Sequence, residues 1–170
     1  IADPDDLDRE VPLGERGELL VKGPQVFDGY RGMPQETAAS FHDGWFLTGD
    51  VVTMDDKGFI TIVDRIKEVI ITGGFNVYPS EVEAVLRLHP GVRDAAVVGV
   101  MHPERGSEEV VAAVVLDPGA QLDSTTIHDH ARESLTAYKV PRRYVVLDEL
   151  PVNAMGKVLR REVVREIRGR

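Results

Sequence analysis

The sequence has 170 residues, of which 42% are hydrophobic, with a formal charge of -9 and a pI near 5.0. This is enough apolar material for one medium domain, or for a small domain plus part of another, and the acidic balance excludes a general attraction to nucleic acid or anionic membrane. Cysteine is absent, which removes disulfides, thiolate metal sites and a cysteine nucleophile together and leaves the cytoplasm as the default expectation. The longest apolar runs, Ala95–Met101 and Val110–Leu116, fall far short of the roughly twenty residues that span a bilayer and read as buried strands. No initiator methionine or apolar leader opens the chain at "IADPDD", so a piece of a longer protein is expected.

In chain order, "GELLVKGPQVFDGY" (17–30) has short apolar stretches broken by Gly-Pro and Asp-Gly, the punctuation of strands in a small sheet or barrel. "MPQETAASF" predicts a short helix with Pro34 in its first turn, and "GWFLTGDVVTMDDKGFITIVDR" a hairpin turned at Gly58. After "DRIKE" (64–68) the period changes. "VIITGGFNV" reads as a second turn-containing β segment. "YPSEVEAVLRLHP" reads as an amphipathic helix carrying Val82, Val85, Leu86 and His89 on one side. Ser80 and Glu83 fit a capping box there, with Pro79 as an alternative first helical residue. Strands at "VRDAAVVGVM" and "EEVVAAVVLD", a helix at "STTIHDHARESL", a strand at "RRYVVLDEL" and a final helix at "GKVLRREVVREI" complete the chain. The pattern predicts an α+β fold: a β-rich segment over 1–64, then a compact α+β unit over 65–170, joined at the charged "DRIKE".

Gly156-Lys157 invites a phosphate-loop reading, which fails because Pro151 stands at the first glycine position and Val158 replaces the magnesium-binding hydroxyl. Taken alone, Lys157 is a solvated residue in the first turn of a helix. Asp50, just past Gly49, could accept two hydrogen bonds from a vicinal diol such as a ribose, or could simply close a turn. Arg65 could pair with Asp64 or Glu68, and Gly73-Gly74 could merely turn a hairpin. His128 and His130 lie two apart in a predicted helix and do not share a face, so no metal site is assigned. Leu159, Val163 and Ile167 form a docking stripe on the last helix.

The ordered combination is more specific than its parts: Gly-Trp-x-x-Thr-Gly-Asp, then Asp-Arg-x-Lys with Gly-Gly and Tyr-Pro-x-Glu, then Pro-x-x-x-x-Gly-Lys-x-x-Arg-Arg. It resembles the adenylate-forming superfamily, and within it the C-terminal part of acyl-CoA synthetases of the fatty-acid or aromatic-acid type. The resemblance covers nearly the whole chain. It implies that a carboxylate is activated by ATP, with Mg2+, to acyl-AMP and pyrophosphate, and that the acyl group then passes to the thiol of CoA. Residues 1–64 would be the β-rich end of the large N-terminal domain, and 65–170 the mobile C-terminal domain. The phosphate loop and acyl pocket would lie upstream, leaving the chain inactive by itself.

Carried over by motif, Lys157 matches the adenylation lysine. Asp50 and Arg65 match the pair that holds the nucleotide ribose, and Lys67 the hinge position. Gly73, Gly74 and Phe75 match the loop that lines the CoA tunnel, while Tyr138 and Arg142 match a weaker pattern contacting the CoA nucleotide. Val140 departs from relatives with a basic residue there, and Asn76 replaces an arginine found in some acetate-activating relatives. The implied partners are a carboxylic acid, ATP, CoA and the N-terminal domain of the same chain. Two other readings stay open: a ligase that loads a carrier-protein phosphopantetheine, and a noncatalytic α+β binding module.

Overall fold

The computed structural model describes residues 1–103, 106–121 and 123–169. The chain divides into two compact units, Ile1–Lys67 and Glu68–Arg170. The first is β-rich, as expected. Its strands are β1 (Ala2–Asp3), β2 (Asp6–Glu10), β3 (Gly17–Val21), β4 (Phe41–His42), β5 (Trp45–Met54) and β6 (Ile60–Arg65), with helix α1 (Pro34–Ala39) between β3 and β4. All pair antiparallel in the order β2-β1-β3-β5-β4, and β6 pairs β5. The strand character expected from Gly17 to Tyr30 stops at Val21. Residues 22–33 are irregular instead, because Phe27 leaves the sheet to pack against Tyr30, Phe41 and Phe46, with ring centroids 5.0–5.9 Å apart. Asp55 turns the β5–β6 hairpin, its Oδ1 accepting from the amides of Lys57 and Phe59 at 2.9 Å.

The second unit contains β7 (Ile70–Thr72), β8 (Phe75–Val77), α2 (Pro79–Leu86), β9 (Val92–Met101), β10 (Glu108–Leu116), α3 (Ser124–Ser134), β11 (Arg143–Val146) and α4 (Arg160–Arg168). β9 and β10 pair antiparallel and β11 joins β10 in parallel. The valine- and alanine-rich runs are continuous because both faces of this sheet are covered. Val97, Val110, Ala112 and Val114 pack with Val82, Leu86, Ile127 and Ala131 of α2 and α3. On the opposite face Ala96, Val98, Val111 and Ala113 meet Val163 and Ile167 of α4. Period-two alternation thus assigns one strand to two cores. A mixed α+β architecture is what the hydrophobic pattern predicts.

Two local expectations are corrected. The capping box at Ser80 and Glu83 does not form: Tyr78 is the N-cap of α2 and Pro79 its first residue. Glu83 is instead buried, 6% exposed, and accepts from the Val97 amide at 2.9 Å. His89 lies beyond the end of α2, which stops at Leu86. The last helix begins at Arg160, not near Gly156, with Leu159 as its N-cap. Of the predicted stripe, Val163 and Ile167 are buried while Leu159 is exposed. Val140, the departure from the basic residue of some relatives, is a core residue.

Helix α3 is capped by Asp123, whose Oδ1 accepts from the amides of Thr125 at 2.9 Å and Thr126 at 3.4 Å. Asp123→Ala leaves both amides without their intrachain acceptor and should cost about 1 kcal/mol. Asp123→Asn should stay close to wild type. Urea denaturation of both variants checks this, and equal midpoints for all three proteins would contradict it.

Candidate functional site

Asp50 sits where β5 is irregular. Glu18 of β3 is paired with Val51, but Leu20 is paired with Leu47, so β5 carries extra residues in the Thr48–Asp50 segment. The distortion is held by side chains: Thr48 Oγ1 accepts from the Asp50 amide at 3.1 Å, and Glu18 Oε1 accepts from the Gly49 amide at 3.0 Å. Across the β5–β6 ladder Asp50 is the register partner of Arg65, and Arg65 Nε lies 2.6 Å from Asp50 Oδ1. The two residues that match the ribose-holding pair are therefore also ion-paired to each other. The Asp50 side chain is 17% exposed and that of Arg65 45%. The pair offers acceptor and donor atoms side by side, which is the chemistry a vicinal diol needs. Lys67 is exposed in the single 3-10 turn Ile66–Glu68 that follows.

Gly73 and Gly74 turn the β7–β8 hairpin with φ of 57° and 82°. A Cβ added at either would meet no atom within 4 Å. Space beside the turn is open, so the strain of a side chain there would come from the left-handed backbone alone. Phe75 is exposed and its ring stacks on Tyr138, centroids 4.5 Å apart and planes inclined by 18°. One face of Tyr138 is thus covered, while its neighbour Lys139 pairs with Glu81 at 2.7 Å. Arg142 is exposed, and its amide donates to Val110 O at 2.9 Å.

Lys157 belongs to a closed hairpin, not to a helical turn. Val152 and Val158 form an antiparallel bridge, the Asn153 amide donates to Lys157 O at 2.9 Å, and the Gly156 amide donates to Asn153 O at 2.9 Å. Asn153 Oδ1 accepts from the amides of Met155 and Lys157, each at 2.9 Å, and Gly156 takes the left-handed φ of 78° that this turn requires. The Lys157 backbone is therefore fixed on both sides. Its side chain is 61% exposed, and the ammonium lies 3.9 Å from Glu68 Oε1.

Glu68 in turn accepts from Arg160 Nε at 2.8 Å, and Arg160 Nη1 donates to Glu83 Oε1 and to Val97 O, the latter at 2.9 Å. Burial pushes the Arg160 guanidinium down. Its bonds to Glu83 and Glu68, and their charges, outweigh this and hold it above its ordinary value. Glu18, Glu68, Glu83, Asn153 and Arg160 were not singled out as site-forming in the sequence. Of these, only Arg160 is a specified letter of the ordered motif combination, as half of an Arg-Arg pair in which nothing distinguishes the two.

His128 and His130 do diverge: His130 Nε2 lies 3.0 Å from Val85 O and His128 meets the edge of Tyr144. Among the described residues a different imidazole meets carboxylates. His42 Nε2 lies 2.7 Å from Asp8 Oδ1, with Asp43 beside them. Hydrogen bonding to Asp8 raises the His42 pKa.

Residues 81–157 match the AMP-binding enzyme C-terminal domain. A long-chain-fatty-acid–CoA ligase of Escherichia coli O6:H1 is 47% identical over 98% of this chain. Over residues 81–157 the chain belongs to the AMP-binding enzyme C-terminal domain family. It spans 29% of the length of that ligase, and 31% of a feruloyl-CoA synthase of Amycolatopsis that is 46% identical over 91% of this chain. Among solved structures, ATP-bound MatB of Rhodopseudomonas palustris is 41% identical, with a TM-score of 0.89 over 98% of this chain and 33% of that one. In this family member, Asp50, Arg65 and Lys67 lie in the first unit. Gly73, Gly74, Phe75, Tyr138, Arg142 and Lys157 lie in the second.

Glu18 generates a pH prediction. Burial, with a smaller push from the Asp50 charge, raises its carboxyl pKa against the lowering effect of the Gly49 amide. A carboxyl raised on folding contributes stability that is fully present below its unfolded value and lost as pH rises through the folded value. Glu18→Gln keeps an acceptor for Gly49 and removes the charge. The variant should therefore resist urea better than wild type at pH 7, and the gain should vanish below about pH 4. A gain that grows on acidification would contradict this.

Proposed function

We propose that this chain is the C-terminal part of an ATP-dependent, AMP-forming acyl-CoA synthetase, with residues 1–64 closing the large AMP-binding domain and 65–170 forming the mobile one. The observation that carries the reading is Lys157: a solvent-facing ammonium on a hairpin whose backbone is closed by Asn153. In the first half-reaction a carboxylate oxygen attacks the α-phosphorus of ATP, and pyrophosphate leaves with the electrons of the broken P–O bond. Carboxylate and triphosphate repel each other, and charge grows on the oxygens around phosphorus. A positioned ammonium draws the two together and stabilises that charge. Lysine suits the task because a compact point charge serves several oxygens in turn.

The Asp50–Arg65 pair supports a nucleotide-ribose role, with the carboxylate accepting from hydroxyls and the guanidinium donating. ATP would bring Mg2+ with it. In the second half-reaction the thiol of CoA attacks the acyl carbonyl and AMP departs. The open left-handed turn at Gly73-Gly74 would give the pantetheine arm a side-chain-free wall, with Phe75 beside it. The stacked Phe75 and Tyr138 rings, with Arg142, would face the nucleotide end of CoA through aromatic stacking and phosphate pairing. Lys67 would absorb the torsional change between the two steps. The names of the relatives support a carboxylic acid of fatty or aromatic type.

In the full-length enzyme, Lys157→Ala should lower acyl-AMP formation by at least about a hundredfold while leaving thioester formation from supplied acyl-AMP within a few-fold of wild type. Near-normal adenylation by that variant would sink the lysine assignment. Gly74→Leu should do the reverse, slowing acyl transfer to CoA with adenylation retained. Equal loss of both steps would mark a folding defect instead. The 170-residue chain alone should consume no ATP in the presence of a fatty acid and CoA.

A further inference from the structure

Lys157 is restrained at both ends of its side chain. The hairpin fixes its Cα through bonds on its amide and its carbonyl. The far end lies 3.9 Å from Glu68 Oε1, a contact at the outer edge of an ion pair. Glu68 is not free to follow the lysine. Its other oxygen holds Arg160 Nε at 2.8 Å, and that guanidinium is anchored to buried Glu83 and to the β9 backbone at Val97 O. The carboxylate beside Lys157 is thus aimed from the sheet, through Arg160.

We propose that Glu68 is a positioning residue for Lys157: oriented by Arg160, it confines the ammonium to a narrow range before the anionic substrates arrive. This rests on the reading of Lys157 as the adenylation lysine. An unrestrained lysine samples many rotamers and must lose them when it engages the transition state. A carboxylate that pre-selects a few of them moves part of that loss ahead of catalysis. The hold must also be weak enough to release. Arg160 achieves this by sharing the charge of Glu68, so a substrate carboxylate and an α-phosphate together outcompete the one oxygen left to the lysine. All these residues belong to the second unit, so the restraint is built into it.

Arg160 itself is a poor test, because removing it strips buried Glu83 of its shorter ion pair, leaving only Arg87 at 3.6 Å, and endangers the fold. Glu68→Gln is better: it matches the side chain in size, keeps an oxygen for Arg160 and removes the charge facing Lys157. In the full-length enzyme, wild type, Glu68→Gln, Lys157→Ala and the double variant would be compared. Acyl-AMP formation would be followed by single turnover, and thioester formation measured from supplied acyl-AMP. Glu68→Gln is expected to lower kcat for adenylation by about five- to tenfold, with KM for ATP within about twofold and the thioester step unchanged. In the Lys157→Ala background it is expected to cost nothing more, because the group it acts through is gone.

Adenylation by Glu68→Gln within about twofold of wild type would overturn the inference. So would an equal loss in both steps, or a loss that adds fully to that of Lys157→Ala, each of which marks a structural role. Near-normal adenylation by Lys157→Ala alone would instead remove the reading beneath it, whatever Glu68→Gln does.

Discussion

The second unit is organised around one guanidinium. Arg160 opens α4 yet bonds to Glu68 just after the chain joint, to Glu83 in the middle of α2 and to the backbone of β9. With its side chain 20% exposed and that of Glu83 8%, this is an ion-pair network largely withdrawn from water. Breaking such a pair by deleting one partner costs about 3–5 kcal/mol, because the charge left behind is buried alone. Elements from the start, middle and end of the unit are therefore tied by polar contacts that no apolar substitution at a single position can replace. The same network fixes the carboxylate that faces Lys157.

Positive charge in this acidic chain is locally confined. Three of the cations at the positions discussed stand beside carboxylates: Arg65 on Asp50, Lys157 near Glu68, Arg160 between Glu68 and Glu83. Such pairing keeps the chain from acting as a general polyanion binder, in keeping with its charge of -9. It also ranks the cations. Arg160 is mostly withdrawn from water and bonded to two carboxylates, whereas Lys157 is exposed and held at arm's length, which is the condition for exchanging one anion for another.

Much of this was legible in the sequence. The Val/Ala runs of β9 and β10, the β5–β6 hairpin and α3 follow from hydrophobic period and turn residues, because burial on known faces leaves little choice. The misses share a cause. Glu83 has the spacing of a capping box, but the β9 amide and Arg160 compete for its carboxylate and win, since an unpaired amide in the core costs more than one at a helix end. The helical period of "VLRREVVREI" runs back over Val158 and Leu159, yet the bridge to Val152 takes that segment into a hairpin first. The strand expected through Gln25 and Val26 gives way to an aromatic cluster assembled from residues distant in the chain. Asp50 and Arg65 were each visible, but their pairing is a register fact, which single-residue patterns do not carry.

The hairpin at Asn153 also alters what the segment "PVNAMGKVLRR" signifies. Asn153 and Gly156 serve the turn, Val152 and Val158 close it, and Arg160 anchors the next helix to the sheet. In the proposed reading Lys157 is the letter that carries the chemistry. A reader who finds this string in another genome is thus detecting a mounting more than a reagent. The same ammonium could sit unrecognised on a differently spelled turn, and the rest of the string could survive on a chain that has lost its lysine.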